Sequence, residues 1–92
     1  MAHPPQSPRL SEVIRVRLTS AFTPTQLEIR DDSALHAGHA GAREGGHFHV
    51  TIHSAQFAGL APLARHRLVY SALADLLGRG IHALSIDARL PS

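Results

Sequence analysis

Apolar and polar positions alternate along this chain in two different periods, and the changes between them divide it into elements. Leu10, Val13, Ile14, Leu18, Ala21 and Phe22 recur three and four residues apart, the spacing that gathers side chains on one face of a helix. Ser7-Pro8 reads as its start, with serine as N-cap and proline in the first helical position. Thr23-Pro24 closes it, because the residue before a proline avoids the helical region. The period then drops to two. Leu27 and Ile29 alternate with Gln26, Glu28 and Arg30, a half-buried strand that Asp31-Asp32-Ser33 ends. Phe48, Val50 and Ile52 alternate with His47, His49, Thr51 and His53, a second strand whose polar face is lined with histidine. After a turn over Ser54 to Gly59, Pro62 begins a helix whose stripe is Leu63, His66, Val69, Tyr70, Leu73, Leu76 and Leu77. Gly78 and Gly80 end it, so the helix is predicted over 61–78. A last strand covers 81–88, with Leu84 and Ile86 inward and His82 sharing their parity.

The order is therefore α-β-β-α-β. Burying both helical stripes requires the two helices to cover one face of a three-stranded sheet, which makes the chain an α+β domain. The first two strands are expected to pair as an antiparallel hairpin. If the third, reached through a helix, lies parallel to the second, the unit should be a right-handed crossover. Residues 1–7 read as a disordered leader to a single domain over 8–92. Between the hairpin strands, residues 34–46 hold four glycines and little large apolar surface. A loop of that length inside a small domain is expected to be functional or disordered.

Composition narrows the chemistry. With 92 residues and 43% apolar content, the chain has room for one small, mostly aliphatic core. The pI of about 10.5 suggests a polyanion partner, yet the net charge is only +2. The high value arises because all nine bases are Arg, which titrates very late. There is no cysteine, which excludes disulfides, a thiolate nucleophile and a cluster held by the chain's own thiolates. Eight histidines are the compositional bias that matters, since imidazole is the common nitrogen ligand. No stretch is long enough to span a membrane, and no apolar signal core precedes residue 8, so a cytoplasmic location is expected. Nothing suggests an enzyme: no nucleophile is paired with a base, and no zinc-protease, P-loop or dinucleotide fingerprint is present.

Several residues invite two readings. His82, inward in parity but at the start of a strand, is either a hydrogen-bonded core residue or a metal ligand. His36 and His39 are either solvated loop residues or imidazoles that a glycine-rich loop can bring beside His82. His66, on the helical stripe, is expected to pack inward and hydrogen-bond within the fold. Arg65 and Arg67 flank it away from the stripe, as ordinary surface charges or as contacts for a carboxylate, glutathione or phosphate. The row of His47, His49 and His53 is expected to be a solvated face, because same-face neighbours on one strand lie about 6–7 Å apart.

Taken in order and spacing, Asp31-Asp32-Ser33, His36-Ala37-Gly38-His39, His47-Phe48, Phe57, Gly59, Arg65-His66-Arg67-Leu68-Val69-Tyr70 and His82-Ala83-Leu84 closely resemble the BolA family. The resemblance runs from about Val13 to Pro91. It departs at Asp32, usually Glu in the family, and at Gly46, commonly Ser or Thr. It departs again at Pro91-Ser92, without the family's frequent acidic-Trp ending. The resemblance implies a fold like the class II K-homology domain and a monothiol glutaredoxin partner. Together the two would share a [2Fe–2S] cluster for cluster trafficking or iron-linked regulation. It matches His82 to the family's cluster-binding histidine and His36, ahead of His39, to the second ligand position. The glutaredoxin cysteine and glutathione would supply the thiolates. No cofactor is expected in the isolated chain, and the apo form is expected to be a monomer or weak dimer. The alternative the resemblance carries is a DNA-binding transcriptional regulator that uses the helix at 61–78.

Overall fold

A computed structural model describes residues 6–32 and 46–91. The chain runs α1 (Gln6–Phe22), β1 (Gln26–Asp31), β2 (Gly46–His53), α2 (Pro62–Ala72) and β3 (Ile81–Arg89), with single 3-10 turns at Ala55–Phe57 and Ala74–Leu76. β2 is central. β1 pairs with it antiparallel, from Gln26 opposite His53 to Asp31 opposite Phe48. β3 pairs with it parallel, from Gly46 opposite Ile81 to His53 opposite Arg89. The predicted α+β order and the antiparallel hairpin are present, and the third strand, whose direction the sequence left open, is parallel.

The core explains why the helices sit on one face. Phe48, Val50 and Ile52 point from β2 into a single buried cluster with Ile14, Leu18 and Phe22 of α1 and with Val69, Leu73, Phe57 and Ile81. Each of these side chains is worth about 1.5–3 kcal/mol when fully buried, before the entropy of ordering it is charged against the gain. The intervening β2 residues, His47, His49, Thr51 and His53, lie half-buried on the opposite face.

The helices differ from the expected ones at their ends and flanks. α1 reaches back to Gln6, taking in the Ser7-Pro8 pair that was expected to cap it. A proline this close to a helix start costs little, because the first-turn N–H groups have no intrahelical partner. The buried line of α1 is narrower than predicted. Leu10, Ile14, Leu18 and Phe22 follow it at four-residue steps, while Val13 and Ala21 are exposed. Arg17 takes the flank instead, donating to the Ala72 carbonyl at 3.3 Å and pairing with Asp75, which ties α1 to the end of α2.

α2 stops at Ala72 rather than running to 78. The Leu73 N–H bonds to the Tyr70 carbonyl three residues back, and Leu76 and Leu77 repeat that pattern on Leu73 and Ala74. The tighter winding brings the chain down onto the core within a few residues, so that Leu73, Leu76 and Leu77 all pack there. The expected stripe is correct at Val69 and Leu73 and wrong at Leu63 and Tyr70, which are 60% and 43% exposed.

Candidate functional site

Two glycines deliver the chain to the site. Gly78 at φ +79° and Gly80 at φ +144° hold conformations that side-chain-bearing residues avoid. Gly80 also runs close to Leu10: a Cβ there would lie 3.1 Å from a Leu10 methyl carbon. The Gly78 N–H bonds forward to the Ile81 carbonyl, and the Gly80 carbonyl accepts from Gly46 N–H at 2.7 Å. That last bond registers the start of β3 against the start of β2.

Directly after this anchor the ladder slips. Gly46 lies opposite Ile81, but His47 lies opposite Ala83, so His82 is an extra residue in β3. Such a bulge interrupts the strict alternation of sides and re-aims a side chain. Ile81, 1% exposed, enters the core, and the inward set resumes at Leu84 and Ile86. His82 does not share their environment. It is exposed, which corrects the inward placement read from its parity.

His82 has a neighbour on the β2 face that is expected to be solvated. The His47 ring lies with its centre 5.2 Å from that of His82, the two planes inclined at 46°. The pair forms across strands, at the N-terminal ends of two parallel strands, and not between neighbours along one strand. Once the last strand is parallel to β2, residues 47 and 82 each follow the first residue of neighbouring strands, a placement that needs the strand direction the sequence left open. Among the described residues, no three or more His, Asp or Glu are grouped closely enough to hold a metal ion, so this site is a pair. His36 and His39 lie outside the described residues.

The remaining candidates lie apart in role. His66 is half-buried and stacks on Tyr70, ring centres 5.8 Å apart and planes 21° from parallel. Among the described residues, it packs at the edge of the stripe against an exposed ring and not, as expected, through a hydrogen bond into the fold. Arg65 is half-buried and donates from Nε to the Leu60 carbonyl at 2.8 Å, so part of its donor capacity fixes the entry to α2. Arg67 is exposed.

The open face of the sheet is mixed in charge. Arg89 grips Asp87 through two bonds of 3.0 and 2.7 Å and holds its carboxyl below the usual carboxylate range. His53 Nδ1, at the far end of β2, is buried without a hydrogen-bond partner among the described residues. Ser54 follows it and was read only as part of a turn. It is fully buried, donating to the Phe22 carbonyl at 2.7 Å and accepting from Gln56 N–H at 3.1 Å.

Comparison with known proteins converges on one family. The model of the BolA-like proteins matches residues 18–92. BolA-like protein 1 of Homo sapiens is 48% identical over 79 residues, which are 86% of this chain and 56% of that protein. The chain thus spans little more than half the length of that relative. A protein named DNA-binding transcriptional regulator BolA, of Vibrio cholerae, is 44% identical over 77 residues, 84% of this chain and 71% of its own. The solved structure of BolA1 from Arabidopsis thaliana superposes with a TM-score of 0.77 at 40% identity, covering 98% of this chain and 96% of that one. In sequence and in fold, this chain belongs to the BolA family.

Proposed function

We propose that this chain binds a monothiol glutaredoxin and holds a [2Fe–2S] cluster jointly with it, serving cluster trafficking or iron-linked regulation rather than catalysis. The observation that supports this reading is the exposed His82, turned out by a bulge at the end of the sheet and lying beside His47. Two imidazoles, that of His82 and one from His36 or His39, would suit one iron of such a cluster, as the Rieske arrangement illustrates. The chain has no cysteine, so the thiolates for the other iron must come from elsewhere. A cysteine of the glutaredoxin together with glutathione meets that need. His82 is the ligand assigned here, with His36, and after it His39, as the second. Arg65 and Arg67 are assigned to contacts with the partner or its glutathione, Arg67 as an exposed residue and Arg65 with what its bond to Leu60 leaves.

The test is to mix the apo chain with a cluster-loaded monothiol glutaredoxin and follow visible absorption and circular dichroism. Wild type is expected to change the cluster's spectrum, and His82→Ala to leave that of the glutaredoxin alone. Identical spectra from the two proteins would contradict the assignment. Calorimetry with the cluster-free glutaredoxin separates loss of the ligand from loss of the partner.

The name of the Vibrio relative favours a second reading, DNA binding through α2. The bond from Arg65 to Leu60, the net charge of +2 and the mixed charge of the open sheet face weigh against it. Binding that falls steeply with salt in a mobility-shift assay, and that weakens in Arg67→Ala, would support it instead.

A further inference from the structure

The His47–His82 pair has a geometry of its own that needs neither a glutaredoxin nor a cluster. Each metal–imidazole bond of a tetrahedral ion is about 2.0–2.1 Å long, and the ring centre lies roughly 1.1–1.2 Å behind the bonded nitrogen. Two imidazoles on one such ion therefore have their centres about 5 Å apart. The observed separation of His47 and His82 is 5.2 Å. Their planes are inclined at 46°, so the rings neither lie flat on one another nor meet edge to face.

Both backbones are held before any ion arrives. His47 sits in the central strand with a partner on each side, and its carbonyl accepts from Asp32 N–H at 2.7 Å. His82 follows the bond between Gly46 and Gly80 and occupies the bulge. Two preset ligands leave less conformational freedom to lose on binding than two loop histidines would. One member of the pair is exposed, so the remaining coordination positions can be filled by water.

We propose that His47 and His82 form a two-imidazole site for a divalent transition ion of the nitrogen-preferring class, such as Zn²⁺, Ni²⁺ or Cu²⁺, in the free chain. Ions that favour an all-oxygen shell, Mg²⁺ and Ca²⁺, are not bound there. His49 and His53 lie on the same sheet face but continue along β2 away from β3's bulge, and they take no part.

The experiment uses the full apo chain and the metal alone. Calorimetric titration with Zn²⁺ is expected to give a site at one ion per chain, and Mg²⁺ no heat of binding. His47→Ala and His82→Ala are each expected to weaken that site by more than about tenfold, the low end of what even an outer-shell change does to a metal site. His49→Ala is expected to leave it unchanged. With Cu²⁺, paramagnetic resonance should show coupling to two imidazole nitrogens in wild type and to fewer in either variant. Binding that survives His47→Ala, or that falls only when His36 and His39 are replaced together, would overturn the proposal. Far-ultraviolet circular dichroism of the variants excludes unfolding as the cause, and a failure here would leave the cluster reading untouched.

Discussion

Thr23 holds φ at +45°, a left-handed conformation that a β-branched residue adopts only when its surroundings impose it. Here the Thr19 carbonyl takes its N–H at 3.0 Å, and Pro24 follows directly and bars a further helical turn. Asn tolerates this region far better than Thr, and the left-handed penalty is about 1–2 kcal/mol. Thr23→Asn should therefore raise stability by roughly 1 kcal/mol in urea denaturation, with an unchanged slope. No gain would mean that the strain is not there. Residues were legible in the sequence where one local rule governs them. Pro24 as the stop of α1 is such a case. His82 is not, because its parity with Leu84 and Ile86 assumed an unbroken ladder, and a bulge depends on how a second strand pairs. His66 was expected to hydrogen-bond into the fold, and its contact among the described residues is instead the Tyr70 ring.

Elements were legible to the extent that a hydrophobic period defines them. All three strands and both helices lie where alternation and three-four spacing placed them, and the α+β class followed from having two stripes to bury. Their ends and flanks were less so. Leu63 and Tyr70 fit the period of α2 yet remain exposed, because a three-stranded sheet is too small to cover a wide stripe. The early end of α2 and the role of Ser54 depend on distant groups that no local window contains. Ser54 fastens the end of α1 to the end of β2 through the Phe22 carbonyl, and caps the 3-10 turn that seats Phe57 beside Phe22. Ser54→Ala should cost about 1–3 kcal/mol, since it strands a buried carbonyl. Equilibrium unfolding checks this, and a loss within experimental error would show that the tie between the elements is not supporting.

For the whole molecule, charge and the placement of histidine matter more than size. Among the described residues, two carboxylates carry a lowered pKa, Asp75 through its bond to Arg17 and Asp87 through its bond to Arg89. A carboxyl that is more acidic folded than unfolded adds stability above its unfolded pKa, near the ordinary 3.8, and that contribution fades as pH falls through the lower folded value. Stability is thus expected to decline below about pH 4, and Asp87→Asn should flatten the decline by no more than about 1 kcal/mol, since the pair is part-exposed. Urea midpoints between pH 5 and pH 2.5 test this, and equal slopes in wild type and variant would remove Asp87 from the account. No described helix is long and apolar enough to cross a membrane. The central claim is that the imidazole of His82, turned outward by the bulge, ligates iron in a cluster shared with a glutaredoxin. Its most direct measurement is pulsed paramagnetic resonance of the reduced cluster, with the chain and the glutaredoxin together. Strong coupling to an imidazole nitrogen, present in wild type and lost in His82→Ala while complex formation persists, is the predicted result. The same nitrogen coupling in both proteins, or none in either, would contradict the claim.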